Sequence, residues 1–145
     1  MVAAPLKMLL FALFLQVGLT IALLLWLGRE RVGSAGRKEV RIPDIALSSQ
    51  AWPDRVKKIG NSYQNQFELP VLFYVAVLLA IVLSAVDWIV VGLAWVFVAM
   101  RIAHAAVHVT HNNVVLRLQV FSLGVVVVTA LWIYLAFRLL LSGAL

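Results

Sequence analysis

Within GNSYQNQFELP, residues 60 to 70, the polar side chains of Asn61, Gln64, Asn65 and Glu68 recur at spacings of three, one and three. On a helix that spacing puts all four on one face, just ahead of an apolar stretch from Leu69 to Val86. Downstream, Arg101, His104, His108 and His111 recur at three, four and three and share a face of their own. Arg117 then stands at the start of a further apolar run. A carboxylate, two guanidiniums, several amides and imidazoles can together hold an anionic or zwitterionic ligand. A fixed guanidinium can also stabilise a thiolate or an oxyanion as it forms. Arg117 has a plainer reading as well, in which a long side chain near a helix end reaches lipid phosphates.

The elements that must position these residues are membrane helices. The chain has 145 residues, of which 64% are hydrophobic and 12% charged, with a mean hydropathy of +1.03. Soluble domains hold about 45–50% apolar and about 25% charged residues, so this composition is that of an integral membrane protein. A spanning helix needs about 20 apolar residues. Segments 6–27, 54–85, 88–111 and 115–141 meet that need within one membrane domain, 1–145, and predict an all-α four-helix bundle. Segment 6–27 is too long for a signal peptide and lacks a cleavage site after it. Pro70 is expected to kink the second helix, and HNN at 111–113 to end the third.

The connection 28–53 is too polar to cross lipid. Eight of the twelve Lys and Arg lie between Arg29 and Lys58, which places that loop on the cytoplasmic side and both termini on the other. The net charge of +6 thus reflects orientation and anionic headgroups rather than nucleic acid. With no cysteine, disulfides, thiolate metal sites and a cysteine nucleophile are excluded. HxxxH at 104 and 108 has no Asp, Glu or Cys at a helpful spacing, so no metal is expected. Antiparallel neighbours bring the polar faces together in one layer near the cytoplasmic boundary, where a Glu68–Arg101 ion pair is the natural expectation for two charges inside spans.

These residues resemble the MAPEG family, the membrane-associated proteins in eicosanoid and glutathione metabolism. Asn65–Glu68 (NQFE), with Pro70 close behind, is similar to the family's Asn-x-x-Glu. Arg101–His104 (RIAH) is similar to its Arg-x-x-His. Arg117, sixteen residues after Arg101, matches the arginine at the start of the fourth helix in the family's enzymes. The resemblance covers nearly the whole chain.

It implies a homotrimer that binds glutathione in a cleft between subunits and transfers the thiol to, or reduces a peroxide of, a lipophilic electrophile arriving from the bilayer. On that reading Asn65 and Glu68 hold the glutathione amine and backbone, Arg101 and His104 contact its carboxylates or brace the cleft, and Arg117 is the catalytic residue that stabilises the thiolate. Asn61, Gln64 and His108 complete the binding set. Asn61 and Gln64 stand where the family's glutathione enzymes usually carry arginine, and His108 and Phe121 where many members have tyrosine. The alternative implied by those departures is a non-catalytic lipid-binding or scaffold protein of the same fold.

Overall fold

The computed structural model describes residues 3–46 and 48–141. Met1, Val2, Leu47 and residues 142–145, among them both ends of the expected 1–145 unit and one loop residue, lie outside the described residues. The chain is all-helical: α1 (Ala4–Gly36), a short α2 (Ile42–Ile45), α3 (Asp54–Gln64), a 3-10 turn (Asn65–Phe67), α4 (Leu69–Val82), α5 (Trp88–Val109) and α6 (Val114–Leu141). Among the described residues four stretches are long and apolar enough to cross a membrane: Ala4–Gly36, Asp54–Val82, Trp88–Val109 and Val114–Arg138. α5 packs against α1 and α6, and α4 closes the bundle against α6 and α1.

The core needs close helix approach, because lipid tails are as apolar as the side chains and supply no hydrophobic drive between helices. Ala76 and Ala80 of α4 and Ala94 of α5 provide it, all fully buried. Between them the rings of Phe73 and Phe97 stack with centroids 4.7 Å apart and planes at 17°. Two indoles tie helices together: Trp95 Nε1 donates to Met8 O and Trp132 Nε1 to Leu72 O, each at 3.2 Å. Gln16, which reads in the sequence as a mild interruption of the first span, is fully buried and donates through Nε2 to Gln66 Oε1 at 3.0 Å. That amide pair joins α1 to the 3-10 turn.

The first helix runs on to Gly36, nine residues beyond the expected end at Leu27, so the polar connection is shorter than 28–53. The cause is tertiary. Leu27 packs with Val56 and Ile59 of α3, and buried Ser34 accepts from Arg55 Nη2 at 3.0 Å. Arg55 also reaches Glu30 at 3.1 Å and pairs with Glu39, while Arg37 Nε donates to Glu39 at 2.8 Å. The helix stops where Lys38 takes a φ of 58°, and Glu39 N and Lys38 N donate back to Ser34 O and Ala35 O at 3.0 Å, a closing pattern that satisfies the last carbonyls.

The Arg37 and Arg55 guanidiniums hold the Glu39 carboxyl at about 2, below its ordinary 4.5. The folded chain therefore binds this proton more weakly than the unfolded chain. The resulting stability is present above about pH 4.5 and is lost as pH falls towards about 2. Glu39→Gln is expected to flatten that acid limb in thermal melts taken between pH 5 and 2. An unchanged limb in the variant would mean that this network does not anchor α1 to α3.

The second span is broken rather than kinked, and ends at Val82, three residues short of the expected Ala85. Pro70 has no N–H to continue the ladder, and the chain leaves α geometry five residues earlier, with Glu68 at φ −102° and ψ −99°. Beside the break, Ser62 O accepts from Gln66 Nε2 at 3.0 Å and Asn65 O from Arg101 Nη2 at 2.9 Å. Such side-chain donors are what a span needs where its backbone departs from the helix. At its far end α4 closes through Ser84, with Ala85 N donating to Ala80 O at 2.8 Å. Asp87 then caps α5, accepting from Ile89 N and Val90 N at 3.0 and 2.9 Å, and pairs with Arg138 of α6. The third helix stops at Val109, and Asn112 at φ 49° turns the chain into α6.

Candidate functional site

A pocket of about 460 Å³ opens at the end of the bundle that carries the polar connection. Its walls are Asn61, Gln64, Asn65 and Glu68 from the second span, His104 and His108 from α5, and Val114, Arg117, Leu118 and Phe121 from α6. The helical spacing explains the first two sets, since each presents one face. Of the polar residues singled out from the sequence, the structure brings together all but Arg101 and His111.

Arg101 lies behind the wall, 1% exposed. Its guanidinium carbon sits 6.0 Å from the Phe121 ring centre, and its Nη2 goes to the Asn65 carbonyl. The expected Glu68–Arg101 ion pair does not form. The break at Glu68 leaves that side chain exposed on the pocket, while the same break offers Arg101 the half-buried Asn65 carbonyl instead. Arg101 therefore shapes the 3-10 turn, and a ligand in the pocket meets Phe121 before it meets Arg101.

Arg117 is fixed by two partners. Both hydrogens of Nη1 are taken, one by His108 Nε2 at 3.1 Å and one by Asn112 Oδ1 at 2.7 Å. The hydrogens on Nη2 and Nε are left for a ligand in the pocket that Arg117 lines. An arginine can only donate, so His108 Nε2 accepts and its ring proton sits on Nδ1. Asn65 Nδ2 is placed 3.4 Å from that nitrogen; two donors cannot bond, so the amide is turned to present its oxygen there. A chain of contacts thus runs from the broken span through His108 to Arg117. Asn112 was missed by sequence reading, which took HNN only as a helix breaker; its left-handed backbone is what turns its side chain to Arg117.

His104 packs edge-on against His108, with ring centres 5.7 Å apart, and lies 5.6 Å from the Phe121 ring centre. His111 is outside the pocket and its Nδ1 sits 3.1 Å from Thr110 Oγ1. Among the described residues no three His, Asp or Glu side chains converge as a metal site requires. The pocket is therefore a polar cleft with one cation, one carboxylate, three amides and two imidazoles. Val114, Leu118 and Phe121 form its apolar side.

The four candidate membrane-spanning helices among the described residues define the chain as a polytopic membrane protein with a polar cleft at one end of its bundle. The family profile described as "MAPEG family" matches residues 9–137, nearly the full length. The chain belongs to the MAPEG family. No curated protein and no solved structure gave a match.

Proposed function

We propose that the cleft binds a low-molecular-weight thiol of the glutathione type and activates it for attack on a lipophilic electrophile or peroxide. The observation that carries this reading is Arg117. It is held by His108 and Asn112 with Nη2 and Nε unused, among the apolar side chains of Val114, Leu118 and Phe121 on its own helix. A guanidinium beside a thiol favours the thiolate, because it stabilises the charged form. The thiol proton leaves to solvent at the open side, and the sulfur lone pair forms the new bond to the electrophile as the leaving group departs. With a peroxide the sulfur bonds to one peroxide oxygen, the alcohol departs, and a second thiol then displaces that oxygen as water to leave the disulfide. Glu68, Asn61, Gln64 and Asn65 would hold the ammonium and amide groups of the peptide. Val114, Leu118 and Phe121 would take the apolar co-substrate.

The family resemblance supports a homotrimer with the cleft shared between neighbours. The Lys and Arg concentration between Arg29 and Lys58 supports a cytoplasmic position for it. A second reading, a non-catalytic lipid-binding or scaffold protein, is favoured by one observation: Asn61 and Gln64 line the cleft as amides, so Arg117 is the one cation among its lining residues.

Thermal stability of the purified protein against increasing glutathione separates the two readings. A ligand that binds only the folded state stabilises by about 2.7 kcal/mol at one hundred times its dissociation constant. A dose-dependent rise that is lost in Glu68→Gln supports the thiol reading. Stabilisation by lipid with none by glutathione supports the second.

A further inference from the structure

A second cavity, of about 540 Å³, opens on the other side of α3, within the roughly 300–1,000 Å³ of small-molecule sites. Its upper wall carries Arg31, Lys57, Ser49, Gln50 and Trp52, and its floor is apolar, with Leu27 and Val56. Among the described residues no acidic side chain lines it.

Of the two cations in this wall Arg31 is the uncommitted one, whereas several nearby cations are engaged. Arg37 and Arg55 are engaged by Glu30 and Glu39, Arg41 by Asp44 at 3.8 Å, and Lys58 by the Thr110 carbonyl at 3.0 Å. Among the described residues Arg31 has no ion-pair partner, and its guanidinium lies over the Trp52 ring at 5.5 Å. That contact orients the fork while leaving its edge free to bind an anion. Lys57 reaches Asp54 at 3.0 Å, but the Asp54 side chain is 89% exposed, so water weakens that pair.

The cavity also sits at the right depth. Leu27 ends the purely apolar part of α1 and Arg31 begins the polar turn after it, while Trp52 has the amphipathic ring that favours the level of lipid headgroups. Cationic rim, aromatic shoulder and apolar floor match an anionic phosphate that is attached to hydrocarbon.

We propose that this cavity binds the phosphate of an anionic amphiphile, with Arg31 and Lys57 on the phosphate and the Leu27–Val56 floor against the start of its chain. This cavity shares Asn61 and Gln64 with the first, but Arg31 and Lys57 line only the second, so the proposal does not rest on the thiol reading.

The test compares melting midpoints in phosphatidylcholine nanodiscs with and without phosphatidylglycerol. The wild type is expected to gain about 2–4 °C from the anionic lipid. Arg31→Ala/Lys57→Ala should lose the gain, and Lys38→Ala/Arg41→Ala, which removes the same charge outside the cavity, should keep it. If the first pair does not melt cooperatively without the anionic lipid, Arg31→Gln alone is compared. No gain in the wild type, or equal loss in both pairs, would overturn the site in favour of diffuse attraction. Equal protection of the detergent-purified protein by inorganic phosphate would overturn the amphiphile and leave only a free-anion site.

Discussion

Arg117→Ala is expected to lower turnover of a thiol with a chromogenic aryl halide by about 10²–10³-fold, the loss seen when one preorganised donor to a developing anion is removed. The size follows from geometry. His108 and Asn112 fix Nη1, so the remaining N–H groups meet a sulfur without reorganising, beside the apolar Val114, Leu118 and Phe121 of the same helix. Arg117→Lys should recover little of the loss. An ammonium is a point donor, and it cannot satisfy both His108 and Asn112 while still presenting a second, fixed edge to the ligand. Thiolate absorbance of the bound thiol gives a separate readout. It should fall in both variants, whereas a fault in folding would abolish thiol binding itself. Activity within a few fold of wild type, with the bundle intact, would remove Arg117 from the chemistry and leave lipid binding as the better reading of the cleft.

The second large effect concerns the bundle. Phe97→Ala deletes half of a ring stack at the centre of α4 and α5, where both partners are fully buried. In a water-soluble core Phe→Ala costs about 3–5 kcal/mol, part of it transfer from water and part the cavity left behind. In a bilayer the transfer part is largely missing, because the separated helices remain in hydrocarbon. What remains is lost packing, about 2 kcal/mol from about 24 cal/mol per Å³ of unfilled space. Phe97→Leu should recover most of it. Reversible unfolding in mixed micelles checks both values, and a cost above about 5 kcal/mol would show that the transfer argument fails here.

Much of the site was legible because it is a matter of helical period. Asn61, Gln64, Asn65 and Glu68 had to share a face, as did Arg101, His104 and His108, and antiparallel order had to bring those faces together. What failed to show was where a helix gives way. Pro70 announces a disturbance, but whether the chain bends at it or breaks before it depends on which donors stand ready for the freed carbonyls. Those donors, Arg101 and Gln66, come from tertiary neighbours and from the side of the span opposite the polar stripe. The misplaced Glu68–Arg101 pair is a direct result: two opposite charges inside spans were matched by sign, while the backbone carbonyl that competes for arginine has no signature in the sequence. The long α1 was hidden for a related reason. Nothing between Gly28 and Gly36 reads as a span, and the helix persists there because Arg55 and Ile59, far along the chain, lie against it.

Asn61 and Gln64 line both cavities, one on each side of α3. A side-chain amide has a donor end and an acceptor end and can turn them one way at a time. An occupant that recruits either amide on one side withdraws it from the other. The two sites are then thermodynamically linked, and the factor by which one occupant changes the affinity of the other is returned unchanged in the reverse direction. A thiol affinity measured in detergent would on this account belong to a different protein state from the one in a bilayer. Repeating the thiol titration in nanodiscs with and without anionic lipid measures the linkage, and identical dissociation constants would set it at zero.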